Sequence, residues 1–87
     1  MIIAEVSFAP VGVGTSVSKY VREGIRALES SGLRIQTNAM STNFEAKTLD
    51  EIFAAVKKAH LAVIDAGAQR ILTTLKIDDR RDKEATM

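Results

Sequence analysis

Two glycines and two neighbouring hydroxyl side chains follow an apolar stretch near the start of the chain, in FAPVGVGTSVSKYV, residues 8–21. Glycines let a backbone approach a ligand closely, and the first backbone amides of a helix attract an anion. A loop of this kind could therefore bind a phosphate group. The spacing matches neither G-x-x-x-x-G-K-S/T nor G-x-G-x-x-G, and a phosphate enzyme is therefore the weakest interpretation. Two interpretations stay equally open: Thr15 and Ser16 bind a ligand, or they only cap the following helix.

The sequence contains few residues that could act as a catalytic nucleophile or base, or bind a metal ion. A serine hydrolase needs a base beside its nucleophile, and His60 is the only histidine. His60 follows Ala59 in an apolar helical stripe, where a histidine is more often packed and hydrogen-bonded than catalytic. The chain has no cysteine, and one histidine cannot build a multi-histidine zinc site. We therefore predict a protein that is not an enzyme and has no catalytic or metal-binding residues.

Carboxylates are the other groups that could do chemistry together, and four of them could approach one another: Glu5, Glu45, Asp78 and Asp79. Two close carboxylates can share a proton or hold a metal. Lys76 stands two residues from Asp78, however, so a salt bridge explains that pair as well. The run DDRRDK, residues 78–83, is typical of a solvated surface whose charges pair with one another. We expect these carboxylates to accept a hydrogen bond from a ligand or to balance its positive charge.

Length and charge limit the partners of the protein. A chain of 87 residues makes one domain near the lower size limit for a single core, so a second copy covering part of its surface is expected. Twelve basic and eleven acidic side chains create no field that would attract nucleic acid or an acidic membrane. The start lacks a basic n-region, and no apolar run approaches membrane-spanning length. We predict one domain over residues 1–87, in the cytoplasm, without nucleic-acid or membrane partners.

Hydrophobic periodicity predicts the elements that position these residues. Alternation with period two indicates strands, and recurrence with period 3.6 indicates helices. The elements follow in the order strand 2–10, helix from Thr15 or Ser16, hairpin 33–47 with its turn near 39–41, helix capped by Thr48, and strand 69–79. This order favours the α+β class: a ferredoxin-like βαββαβ fold with two helices on one face of a four-stranded antiparallel sheet. Right-handed crossovers place the first and third strands at its centre.

Three details of these elements lead to further expectations. Gly24, inside the first helix, costs about 1 kcal/mol relative to alanine, and we expect a close approach of this helix to the sheet or its neighbour in compensation. Polar residues 80–87 form either a frayed tail or the start of a further helix. The apolar stripe of the second helix is predicted to contain Leu49, Ile52, Phe53, Val56, Ala59 and Val63.

The strand residues that alternate with the core set form an open sheet face. Most of them are polar: Glu5, Ser7, Gln36, Asn38, Asn43, Glu45, Thr74, Lys76 and Asp78. A solvated face is the commonest fate of such residues. Ile3, Met40 and Leu72 share the face, however, and apolar side chains favour cover. The mixture favours a subunit contact that encloses a polar site.

Several fragments together resemble the small thiamine-binding protein family: MIIAEVSFAPVG, GTSVSKYV, AMSTNFEAK, LDEIFAAVKKAH, AGAQRILTTLKIDDRRDK and ATM. The resemblance covers essentially the whole chain, and GTSVSKYV and TTLKIDDRRDK are its most specific parts. It implies the ferredoxin-like fold, homodimers formed through the sheets and paired again into homotetramers. It further implies binding of thiamine or its hydroxymethylpyrimidine moiety, in thiamine supply or salvage, with no established reaction.

An aminopyrimidine offers accepting ring nitrogens, a donating exocyclic amine and an apolar methyl group. The resemblance and this chemistry together predict a ligand-binding set: Thr15, Ser16, Met40, Asn43, Glu45 and Asp78. Glu45 or Asn43 would pair with the amine, Met40 would lie against the ring, and Asp78 or Glu5 would offset the charge of a thiazolium. No other cofactor is expected. The alternative is an oligomeric structural or regulatory module whose open sheet face only holds subunits together, since this fold hosts many functions.

Overall fold

The computed structural model describes residues 1–15 and 17–87 of the chain. Its elements follow the predicted order: β1 Ile2–Pro10, α1 Ser18–Glu29, β2 Arg34–Thr37, β3 Thr42–Ala46, α2 Leu49–Asp65 and β4 Ile71–Asp78. The strands form one antiparallel sheet in the order β2-β3-β1-β4, so the first and third strands lie at its centre. The ferredoxin-like βαββαβ fold is confirmed. Neither α1 nor α2, both fully described, is long and apolar enough to cross a membrane.

The core lies between the sheet and the two helices. Alternate residues of β1 point inward, and Phe44 of β3 stands among them with its side chain fully buried. Leu28 of α1 and Ile52 of α2 close the core from the helical side, and both are inaccessible to solvent. Burying each such side chain contributes about 1.5–3 kcal/mol. This burial on one face of each element is the physical cause of the periodicities in the sequence.

Gly24 is the point of closest approach between α1 and the rest of the core. A Cβ atom added there would lie 2.9 Å from Val63 Cγ2 and 3.2 Å from the ring of Phe8. Any side chain at position 24 would therefore push α1 away from α2 and β1. The expectation that close packing compensates the low helix propensity of this glycine is confirmed.

The second helix begins at the predicted capping box. The Glu51 backbone N–H donates to Thr48 Oγ1 at 3.2 Å, and the Thr48 hydroxyl donates to Glu51 Oε1 at 3.4 Å. The predicted apolar stripe is wrong at two positions, since Phe53 is 52% and Leu49 37% exposed. Ala55, outside that stripe, is buried instead. The buried side of α2 is lined partly by alanines, because small side chains let two helices pack closely.

The β2–β3 hairpin turns where the sequence predicted it. The Asn38 N–H donates to the Ser41 carbonyl at 2.8 Å and closes this turn.

The segment after β4 is the last part of the described chain. Residues 79–87 have no regular secondary structure. The charges of this segment do pair with one another, through Arg80 with Asp82 and Arg81 with Asp79. The hydrogen bond from Arg80 lowers the pKa of Asp82 below its ordinary value.

Candidate ligand-binding site

A row of polar side chains crosses all four strands on the sheet face turned away from the helices. The backbone register sets Asn43 opposite Gln36 on one side and opposite Glu5 on the other. Glu5 in turn stands opposite Lys76. Side chains of paired residues share a face, with Cβ atoms about 4.5–5.5 Å apart. We call these four residues the central row.

A second row, the end row, lies two residues nearer to the start of β1. Ile3 stands opposite Glu45 on β3 and opposite Asp78 on β4. Glu45 also stands opposite Arg34, whose Nη1 atom lies 3.7 Å from Glu45 Oε1. The end row therefore sets an apolar side chain between two carboxylates.

The two rows enclose a shallow depression on the open face. It has a volume of about 150 Å³ and is lined by Ile3, Ala4, Glu5, Asn43, Lys76 and Asp78. Cavities of about this size accommodate a single six-membered ring such as benzene. The depression thus offers room for one ring, an apolar contact at Ile3, and donors and acceptors on either side.

The most informative atom in the depression is Asn43 Oδ1. This oxygen is buried, and none of the residues in the described part of the chain donates a hydrogen bond to it. A buried acceptor without a donor costs about 1–3 kcal/mol. A ligand N–H that reached this oxygen would remove that cost, and because the atom is closed to solvent the Asn43 amide would first have to turn towards the depression.

Negative charge prevails on this part of the open face. The carboxylates of Glu5, Glu45 and Asp78 outnumber the basic groups of Arg34 and Lys76, which leaves one net negative charge. Within residues 1–15 and 17–87, Lys76 forms no salt bridge with Asp78, so the proposed pairing of these two side chains is wrong. Lys76 and Asp78 are therefore both available to a ligand, and a cationic ligand is electrostatically favoured.

The structure brings together three of the six predicted site residues. Asn43 and Asp78 both line the depression, and Glu45 lies beside them in the end row. Met40 lies instead in the β2–β3 hairpin, with 89% of its surface exposed, on a separate cleft of about 200 Å³ beside Phe8. None of the residues that line this cleft also lines the depression. Met40 is therefore not part of the depression of its own chain.

The loop before α1 also lies at this far end of β1. Thr15 is exposed and precedes the helix, whose first residue is Ser18 and whose N-cap is Val17 without a side-chain hydrogen bond. The interpretation of Thr15 as a helix cap is therefore wrong, because the helix begins later than its hydroxyl cluster suggested. Ser16, the other candidate cap and ligand contact, lies outside the described residues.

The two glycines of the loop before α1 allow its backbone conformation. Gly12 and Gly14 have φ angles of +83° and +76°, which L-residues with side chains rarely adopt. A Cβ atom at either position would meet no described atom within 4 Å. The loop therefore needs glycine for its turn conformation, and the structure offers no close backbone approach that would indicate a phosphate site.

The C-terminal segment reaches the end row from β4. We call residues 79–87 the strap. The Glu84 carboxylate accepts a hydrogen bond from the Met1 ammonium at 2.9 Å, and the Met87 backbone N–H donates to Glu45 Oε2 at 3.0 Å. Glu45 is only 5% exposed as a result, although it lies on the open face.

His60 is the remaining polar residue that the sequence analysis considered for catalysis. His60 is half-buried, and its Nδ1 shares a 2.7 Å hydrogen bond with Thr73 Oγ1, so it is packed and hydrogen-bonded as expected. No cluster of three or more His, Cys, Asp or Glu side chains suited to a metal ion occurs in the described part of the chain. The site offers hydrogen bonds, charge and an apolar wall, which suit binding.

Sequence reasoning placed Glu5 and Lys76 on the open face but did not select Lys76 or Ile3 as site residues. Strand alternation shows which face a residue occupies. It does not show which residues of different strands stand opposite one another, because that depends on register. The strap contact at Glu45 left no signal in the sequence, since it depends on one backbone N–H.

The structure is that of a ferredoxin-like α+β domain with a polar open sheet face, and comparison with known proteins identifies its family. The model of the thiamine-binding protein family matches residues 4–87. A UPF0045 protein of Methanothermobacter thermautotrophicus is 48% identical over 85 residues, which cover 97% of this chain and 86% of that protein. The chain therefore belongs to the thiamine-binding protein family.

Solved structures extend the comparison. The crystal structure of a hypothetical protein from Methanocaldococcus jannaschii has a TM-score of 0.91 and 46% identity, covering 99% of this chain and 87% of that one. A Thermotoga maritima protein, described as a candidate thiamine biosynthesis or salvage protein, has a TM-score of 0.84 and 18% identity, covering 97% and 88%. At that identity the second likeness shows a shared fold alone. Membership in the thiamine-binding protein family, in contrast, supports a small-molecule ligand.

Proposed function

We propose that the protein binds thiamine or its hydroxymethylpyrimidine moiety in the depression between the central and end rows, in the cytoplasm, for thiamine supply or salvage and without catalysis. The single observation that carries the proposal is the buried Asn43 Oδ1 atom without a donor among the described residues. The exocyclic amine of an aminopyrimidine is a donor of the required kind. Family membership supports the same class of ligand.

The surrounding side chains suit the rest of such a ligand. The Lys76 ammonium can donate to a ring nitrogen, which accepts hydrogen bonds, and Ile3 offers an apolar surface to the ring and its methyl group. Asp78 and Glu5 would offset the positive charge of the thiazolium in intact thiamine. One ring fills the depression, so the thiazolium would extend beyond it along the open face.

Titration calorimetry with thiamine, hydroxymethylpyrimidine and the separate thiazole moiety tests this proposal. We expect micromolar dissociation constants, about −8 kcal/mol, for the first two ligands, and much weaker binding of the thiazole, which lacks the amine. Absence of heat from both pyrimidine ligands at about millimolar concentration, a thousandfold above the expected constant, contradicts the proposal.

A matched pair of variants locates the site. Asn43→Leu removes the buried acceptor, and we expect about tenfold weaker binding, since a hydrogen bond contributes about 0.5–1.5 kcal/mol. Gln36→Leu is the control, because Gln36 stands beside Asn43 in the central row but outside the depression. Equal losses of affinity in the two variants would mean that the ligand binds outside the depression.

Assembly is the second candidate function, favoured by one observation. Leu72 is 54% exposed on the open face, where Ile3 is also incompletely covered. We propose that two copies pair through their sheets as homodimers, which pair again into homotetramers. If the open face serves assembly alone, Asn43→Leu will alter sedimentation and no thiamine will bind. If the face binds ligand, the variant will lose affinity and keep its oligomeric state.

A further inference from the structure

The Glu45 carboxylate already interacts with two other parts of the chain. Its Oε2 atom accepts the Met87 N–H at 3.0 Å, and its Oε1 atom faces Arg34 at 3.7 Å. Glu45 is two residues from Asn43 on the same face of β3, at the border of the depression. An amine held by Asn43 has a second N–H, and the carboxylate of Glu45 is the neighbouring acceptor that this N–H would use.

Few polar contacts tie the strap to the rest of the protein. Besides the Met87 contact, the structure gives a salt bridge between the Met1 ammonium and Glu84, whose side chain is 83% exposed. The strap has no regular secondary structure, and its arginines pair with aspartates of the strap itself. Exposed ion pairs contribute little stability, so a segment held in this way detaches at low cost.

We propose that the strap is an intramolecular competitor that occupies the Glu45 end of the binding site and leaves when a ligand amine takes its place. A peptide N–H and an amine N–H are equivalent donors toward a carboxylate. Glu45 is only 5% exposed with the strap in place, so a ligand amine reaches Oε2 only after the strap has left. The proposal rests on the proposed function, because the displacing ligand is the aminopyrimidine. Its consequence is that the strap lowers the apparent affinity of the site.

Substitution of the donor tests the competition in the chain of 87 residues. Met87→Pro removes the backbone N–H that Glu45 accepts and leaves every site side chain unchanged. We expect this variant to bind hydroxymethylpyrimidine about three- to tenfold more tightly than the unmodified protein. Thr86→Pro is the matched control, because the Thr86 N–H has no hydrogen-bond partner in the described part of the chain, and its affinity should stay unchanged.

Amide hydrogen exchange measured on the same samples supplies a second readout. In the free protein the Met87 amide should exchange about three- to tenfold more slowly than an exposed amide, the same factor as the expected gain in affinity, and it should lose this protection when hydroxymethylpyrimidine is added. If Met87→Pro binds with unchanged affinity, or if Met87 stays protected at saturation, the competition is refuted while the proposed function stands. If none of the three proteins binds the ligand, the proposed function fails, and the competition fails with it.

Discussion

Asn43 and Phe44 are neighbours on β3, yet the two faces of the sheet on which they lie are built differently. The face of Phe44 is covered by helices, and its side chain is fully buried among apolar groups. The face of Asn43 carries five charged side chains, a shallow depression and a buried acceptor without a donor. The covered face is closed by the two helices of the same chain, whereas no described element covers the open face, and under the proposed function a ligand does so.

This difference separates stability from function along a single strand. Covered positions hold the fold together through burial, and open positions present the groups to which the proposed function assigns ligand recognition. Variants on the two faces should therefore have opposite profiles, with large stability losses on the covered face and affinity losses on the open face.

The largest expected effect follows from Phe44→Ala, which leaves a cavity in the core. We expect it to lower the free energy of unfolding by about 3–5 kcal/mol, measured by urea denaturation. Asn43→Ala, its neighbour on the open face, removes the buried acceptor that lacks a donor and should therefore not lower that free energy. Similar losses in both variants would mean that the open face also holds the fold together.

A smaller loss of stability is expected where α1 approaches β1 and α2. Gly24→Ala improves helix propensity by about 1 kcal/mol, but the added Cβ atom would lie 2.9 Å from Val63 Cγ2. We expect a net destabilisation of about 1–3 kcal/mol from overpacking, measured by thermal and urea unfolding. Arg22→Ala, at an exposed position of the same helix, is the control and should stay within about 0.5 kcal/mol of the unmodified protein. A more stable Gly24→Ala variant would refute the close packing.

The two threonines before the helices should also behave differently. Thr48 accepts the Glu51 N–H, and Thr48→Ala should cost about 1 kcal/mol of unfolding free energy. Thr15 does not cap α1, so Thr15→Ala should leave stability unchanged within about 0.5 kcal/mol. A loss of stability in Thr15→Ala as large as in Thr48→Ala would restore the capping interpretation of its hydroxyl.

The smallest expected effect concerns the strap in acid. The hydrogen bond from the Met1 ammonium lowers the pKa of Glu84 in the folded protein. The stability that this contact contributes is therefore fully present above the ordinary glutamate pKa of about 4.3, and is lost as the pH falls through the lower folded-state value. Titration of the Glu84 carboxyl by NMR should show this lowered pKa, and acetylation of the Met1 amine should return it to its ordinary value. An ordinary pKa in the unmodified protein would contradict the contact.

Much of the fold could be predicted from the sequence, because burial of one face leaves a period in the residue pattern. The inward residues of β1 and the capping box at Thr48 are both found where the pattern indicated them. The pattern was wrong at Phe53, which is exposed, and at Ala55, which is buried. Apolar character alone does not show how far a helix is rotated about its axis.

The candidate site could be predicted only in part. The family resemblance, together with chemical type, selected Asn43, Glu45 and Asp78, which the register of three strands brings together. The same reasoning added Met40, which the structure places at the far end of β1. Long-range register and the path of the strap depend on contacts between distant residues, and no local pattern encodes them.

A map of amide chemical shifts during titration with hydroxymethylpyrimidine tests the central claim most directly. The claim predicts saturable shifts at Glu5, Asn43 and Lys76, accompanied by shifts at Met87 as the strap leaves. Residues around Thr15 should shift far less, since they lie beyond the opposite end of β1. Shifts confined to the hairpin and the loop before α1, or no shifts at all, would contradict the claim that the open face between the two rows is the binding site.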